Sequence, residues 1–221
     1  MRPTGRGQLS ERVTRLLPGR RRVRALALSA ALEAATGRGW PVVPGARALR
    51  GAAGPCSCAD RACPTPGAHP DDPSLEAATT DVRMIRYWWE RRAPGAPVLV
   101  ATGRALGAVS LPRPAGPWLL RHLDEIGVPC GPVLGTANRY VLLTAPYTLP
   151  ELGALLAERP WVPGVLRYHG PGGYLVLPPA RTGSGAVHWV RRPIEDEPWL
   201  PQVGTLLGGL ITASAVALPH R

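Results

Sequence analysis

The sequence predicts an α+β domain in which short, hairpin-linked strands are interspersed with amphipathic helices. Three observations predict it. Helix-period apolar patterns at 22–36, 82–92, 115–126 and 149–159 are separated by short apolar runs. Many of those runs are joined by Gly- and Pro-rich turns, an order unlike that of a doubly wound parallel sheet. Apolar residues make up 45% of the 221, enough to supply a core.

Residues 1–21 read as a basic flexible arm, broken at Pro18-Gly19. The main domain is expected over 22–195. Its first helix, 22–36, places Val23, Leu26, Ala27, Ala30 and Ala34 on one face and stops at Gly37. Trp40–Val43 is the first strand, closed by Pro44-Gly45. A loop rich in Gly, Pro and Cys follows, with its functional part at 54–70. Thr80 or Asp81 caps the helix 82–92, whose apolar face is Val82, Ile85, Trp88 and Trp89. Pro97–Ala101 and Ala105–Leu111 are strands around the turn Thr102-Gly103-Arg104. After the helix 115–126, strands are expected at Val133–Leu134 and Arg139–Thr144, then the helix Leu149–Arg159. Gly164–His169, Tyr174–Leu177 and Ala186–Arg191 complete the strands. Residues 196–221 are a tail or a packed helix. Val203–Ala217 is apolar but shorter than the roughly 20 residues of a membrane span.

The formal charge is +11, and every one of the 26 basic residues is Arg. With no Lys and no Phe, part of that excess reflects compositional bias. Residues 1–50 carry eleven Arg against Glu11 and Glu33, so the other 171 residues net only +2. The cluster Arg20, Arg21, Arg22 and Arg24 suits either a solvated helix face or a phosphate-binding arm. Glu33 interrupts the apolar run after Arg21-Arg22, so a twin-arginine export signal is not expected. A cytoplasmic protein without a membrane segment is expected.

Cys56, Cys58, Cys63 and His69 are spaced Cys-x-Cys-x4-Cys-x5-His. Three thiolates and an imidazole make a closed tetrahedral set, the chemistry of structural zinc. Three clustered cysteines cannot pair evenly, and a Cys56–Cys58 bridge would be strained. Cys130 stands alone and reads as a small buried residue.

Several motifs, in order, carry a resemblance. They are Gly39-Trp40-Pro41-Val42-Val43-Pro44, the cysteine loop ending Pro66-Gly67-Ala68-His69-Pro70, Ala78-Thr79-Thr80-Asp81, Trp88-Trp89 and Thr102-Gly103. Gly172-Gly173-Tyr174-Leu175-Val176-Leu177-Pro178-Pro179 and Gly185 to Trp189 follow. Over roughly 25–192 the series resembles the N-terminal domain of bifunctional DNA primase/polymerases (prim-pol), of the archaeo-eukaryotic primase superfamily. The resemblance implies an α/β module joined to an RNA-recognition-like module, DNA or RNA as partner, and a setting in DNA replication, repair or mobile elements.

The resemblance also implies carboxylates that this chain lacks. The family's Asp-x-Asp pair aligns with Ser110 and Pro112, its later His with the stretch Asn138-Arg139-Tyr140, and its third carboxylate with Arg167. Magnesium and manganese need acidic oxygens, so neither is expected here. Between residues 91 and 194 the only acids are Asp124, Glu125, Glu151 and Glu158, all on expected helices or their ends. The expected function is a catalytically inactive primase/polymerase-like protein binding nucleic acid or nucleotide. Its candidate phosphate contacts are Arg104, Arg139 and Arg167, with Arg21 and Arg22. Two alternatives are an active nucleotidyltransferase with relocated or partner-supplied carboxylates, and a zinc-stabilised module that binds a protein partner. Gly183-Ser184-Gly185 lacks nucleophile-elbow spacing, Gly170–Gly173 lacks the Lys of a P-loop, and His122, His169 and His188 read as scaffold residues.

Overall fold

The structure is a computed structural model that describes residues 19–49, 55–194 and 199–217. Most of the expected basic arm lies outside the described residues, but Gly19–Arg21 already belong to the first helix. That helix, α1 (Gly19–Leu32), widens into π turns at Glu33–Gly37. Its alanines at 27, 31, 34 and 35 are buried, and such small side chains allow close approach to the neighbouring layer.

The first layer is an antiparallel three-stranded sheet, β1 (Val42–Pro44), β2 (Val98–Ala101) and β7 (Tyr174–Leu177), in the order β1-β2-β7. Its β-branched and leucine side chains pack with α1 and with α2 (Val82–Arg86, continued by Tyr87–Arg92). Asp81 caps α2 by accepting from the Arg83 amide at 2.7 Å. Trp88 and Trp89 are buried, as their helical spacing predicts, and meet edge to face at 6.3 Å. The indole of Trp89 donates to the Ala96 carbonyl at 3.0 Å.

The second layer begins with the run β3 (Gly107–Pro112), α3 (Gly116–Glu125), β4 (Val133–Gly135), β5 (Arg139–Thr144), α4 (Leu149–Ala157) and β6 (Arg167–His169). This is a β-α-β-β-α-β order. β8 (Ala180–Thr182) and β9 (Gly185–Arg191) extend the sheet to β6-β3-β5-β4-β9-β8, antiparallel throughout. The terminal helix α5 (Val203–Ala217) packs on it through Leu206, Leu210 and Ala213. No helix among the described residues is long and apolar enough to cross a membrane.

Alternation along β3 separates two cores. Val109 and Leu111 face α3, α4 and α5, whereas Ala108 joins the core shared with the first layer. Most strand boundaries shift by one to three residues from the expectation, β1 among them, and one strand was not expected. The Gly103 amide donates to the Leu106 carbonyl at 2.7 Å, so a turn occupies Ala105-Leu106 and β3 starts later. A similar turn from Pro163 to Leu166 shortens β6. The three-residue β8 went unread because Pro178-Pro179 and Gly183 flank it and leave no room for a pattern.

Candidate metal centre and cationic strand face

The Cys/His loop leaves the end of β1 and folds back on it. The Ala46 amide donates to the His69 carbonyl at 2.9 Å, and the Ser57 amide to the Arg47 carbonyl at 2.9 Å. Across the loop, the Gly183 amide donates to the Pro66 carbonyl at 2.6 Å, docking it against the β8–β9 hairpin. The loop therefore touches both sheets.

Inside it, the ligand atoms of Cys56, Cys58, Cys63 and His69 all lie within 4.8 Å of one another. His69 Nε2 stands 3.3 Å from the sulfurs of both Cys56 and Cys63. Its Nδ1 lies 2.6 Å from the Pro70 carbonyl, so the proton belongs on Nδ1 and Nε2 is free to coordinate. Burial opposes ionisation of Cys56, but the amides of Cys58 and Gly67 and the His69 ring outweigh it and lower the thiol to about 6. Cys58 goes the other way, to about 11, through desolvation and the adjacent sulfurs of Cys56 and Cys63. Ionising all three sulfurs side by side takes a cation between them. The donor set fits a metal ion and is compatible with structural zinc.

The second constellation is on β3. Ser110 pairs with Arg167 on β6 and with Val141 on β5, Pro112 pairs with Arg139, and Ala108 with His169. Cross-strand partners share a face, so Ser110, Pro112, Arg139, Arg167 and His169 stand on one side of the sheet. Tyr140 does not. It pairs with Leu111 and packs on the helix side. Among the residues named from the Asn138–Tyr140 stretch, Arg139 is the one that reaches the Ser110 face.

Ser110 is fully buried. Its hydroxyl accepts from Arg139 Nε at 2.9 Å and lies 3.1 Å from His169 Nε2. The hydroxyl keeps a second lone pair and its own proton, so it can pair with His169 Nε2 in either tautomer of the ring. Burial, together with the charges of Arg139 and Arg167, lowers His169 to about 4. Arg139 also donates through Nη2 to the carbonyls of Ser110 at 2.6 Å and Val165 at 2.7 Å. Three of its five N–H donors are spent on the fold, so it is a strand clamp as well as a candidate phosphate contact. Arg167 is exposed. Arg104 is exposed on the turn beside Gly103, which packs against Pro171. Arg21 and Arg22 stand exposed on α1, and among the described residues no hydrogen bond or ion pair joins them to this cluster.

Sequence reasoning missed His169 as a partner of Ser110. The signal was its two-residue spacing from Arg167 on one strand. Because the unfolded chain takes up a proton that the folded His169 refuses, its contribution to stability is complete above pH 6.5 and is lost as pH falls towards 4. The urea midpoint is expected to fall over that window, by the equivalent of roughly 2–3 kcal/mol. His169→Gln, which keeps an acceptor for Ser110, should flatten that segment of the profile; an unchanged profile refutes the assignment.

The four acids between 91 and 194 lie elsewhere. Asp124 pairs with Arg191, and Glu151 closes a capping box with Thr148 at the start of α4. Glu125 ends α3 and Glu158 caps α4. These helices pack on the face opposite Ser110.

No curated protein and no solved structure matches the chain. The family described as bifunctional DNA primase/polymerase, N-terminal, matches residues 31–202. That span holds both sheets, the Cys/His loop and the Ser110 face, and the chain belongs to this prim-pol family.

Proposed function

We propose that this chain is a non-catalytic member of its family that binds nucleic acid at the Ser110 face, with structural zinc in its Cys/His loop. The observation that carries the reading is the composition of that face. Where two-metal nucleotidyl transfer needs acidic oxygens, the strands carry Ser110, Pro112, Arg139 and Arg167. Cations there repel magnesium and attract phosphate. The β-α-β-β-α-β run with strand order β6-β3-β5-β4 supports an RNA-recognition-like module, a scaffold suited to single strands. The exposed Arg104 and Arg167 supply backbone contacts.

Primer extension with magnesium or manganese is expected to give no incorporation. Single-stranded DNA is expected to bind without a divalent ion, with affinity falling steeply as salt rises. Arg167→Ala should reduce the logarithmic salt slope by about 0.7, the value of one single-strand phosphate contact. Nucleotide incorporation sinks the non-catalytic part, and salt-independent or absent DNA binding sinks the nucleic-acid part.

A further inference from the structure

A cleft of about 580 Å³ opens at the end of β3, lined by Arg113, Pro114, Pro117, Ala137, Asn138 and Tyr140. Tyr140 puts it on the helix side of the sheet, away from Ser110. It is built rather than incidental. The Tyr140 ring lies against the backbone of Gly116, where a Cβ would come within 2.2 Å of the ring. The Arg113 guanidinium sits 5.7 Å above the ring centroid and donates through Nη1 to the Thr136 carbonyl at 2.6 Å. The main chain of Arg113 is also tied, its amide donating to the Asn138 carbonyl at 2.8 Å. An exposed arginine would ordinarily sample many rotamers; this one is tethered beside the ring by its bond to the Thr136 carbonyl. Asn138 is exposed on the turn beside it, and no carboxylate lines the cleft.

We propose that this cleft receives one unpaired nucleobase. The base stacks on the Arg113 guanidinium, the prolines wall it, and the Asn138 amide reaches its edge. Guanidinium planes stack bases as aromatic rings do, and an amide offers both a donor and an acceptor to a base edge. The ligand is a nucleotide, either free or within a single strand. The inference rests on reading the chain as a nucleic-acid binder, but it concerns a different face from the Ser110 cluster.

The test uses the full chain with two probes, a single-stranded dT oligomer carrying one 2-aminopurine and free 2-aminopurine nucleoside monophosphate. Stacking quenches the probe's emission. Quenching is expected in the wild type, and Arg113→Lys, which keeps the charge and loses the plane, should weaken it about tenfold. Asn138→Ala, at an exposed turn, should weaken it several-fold with the fold intact. Quenching of the oligomer alone assigns the site to a strand; quenching of both probes admits a free nucleotide. Salt-dependent oligomer binding with emission unchanged, or quenching indifferent to Arg113→Lys, overturns the cleft and leaves the Ser110 reading standing. Quenching of the free nucleotide without any oligomer binding does the reverse. Unchanged emission from both probes together with no oligomer binding removes both.

Discussion

Cys63→Ser is expected to release the bound metal and to cost stability on the order of 4–5 kcal/mol, the range reached when a structural metal is lost. For a chain of this length that corresponds to a fall of roughly 10–20 °C in Tm. The size follows from how little else holds the loop. Its own apolar cluster is Ala46, Cys56 and Cys63, with Cys58 packed beside them. Gly and Pro residues between the ligands offer no helix or strand to fall back on. The loop also flanks the outer strands of both sheets, through the Gly45–Pro70 bridge beside β1 and the Gly183–Pro66 bond beside β8. Its collapse would bare strand edges able to pair with other chains, so aggregation on chelation is part of the expected result. Metal analysis and thermal unfolding read both effects. Cys130→Ser, at a buried thiol near Arg191, is the control and should keep the metal. Full metal occupancy in Cys63→Ser, or none in the wild type, removes the assignment.

Gly103→Ala is expected to cost about 3–5 kcal/mol, combining left-handed strain with overpacking. Gly103 has φ +110°, and a Cβ there would stand 2.4 Å from Pro171 Cα. The obstacle is backbone and cannot rotate away. The same turn is pinned by Thr102, whose hydroxyl donates to the Gly170 carbonyl at 2.6 Å and whose amide donates to the Gly173 carbonyl at 2.9 Å. Two glycine-containing turns are thus locked together where β2 passes into β3 and β6 into β7, the crossings between the two sheets. Gly127→Ala separates the causes, because Gly127 has φ +67° with nothing within 4 Å of its Cβ position. It should cost about 1 kcal/mol. Urea midpoints that agree for the two variants would refute the packing argument.

Much of the fold was legible because the patterns are local. Helix 82–92 announced itself by Asp81 and the spacing of Ile85, Trp88 and Trp89. The metal ligands were legible for the same reason, since all four lie within fourteen residues of sequence. The Ser110 face was only half legible. Family order located Ser110, Pro112 and Arg167, but which neighbour on β5 joins them depends on register across strands far apart in sequence. That register selects Arg139 and turns Tyr140 away. His169 was invisible as a partner because its contact with Ser110 spans 59 residues. The cleft at Arg113 was hidden for the same reason, being assembled from a helix start and a hairpin turn.

Arg139 has a consequence for any attempt to place a carboxylate at position 110. An aspartate introduced at 110 would emerge next to a guanidinium already bonded to the main-chain carbonyls of Ser110 and Val165. It would form an ion pair with that group before it met a magnesium ion, and the pair would tighten the sheet instead of opening a coordination site. Removing Arg139 first would free the carboxylate but unfasten Val165 and Ser110.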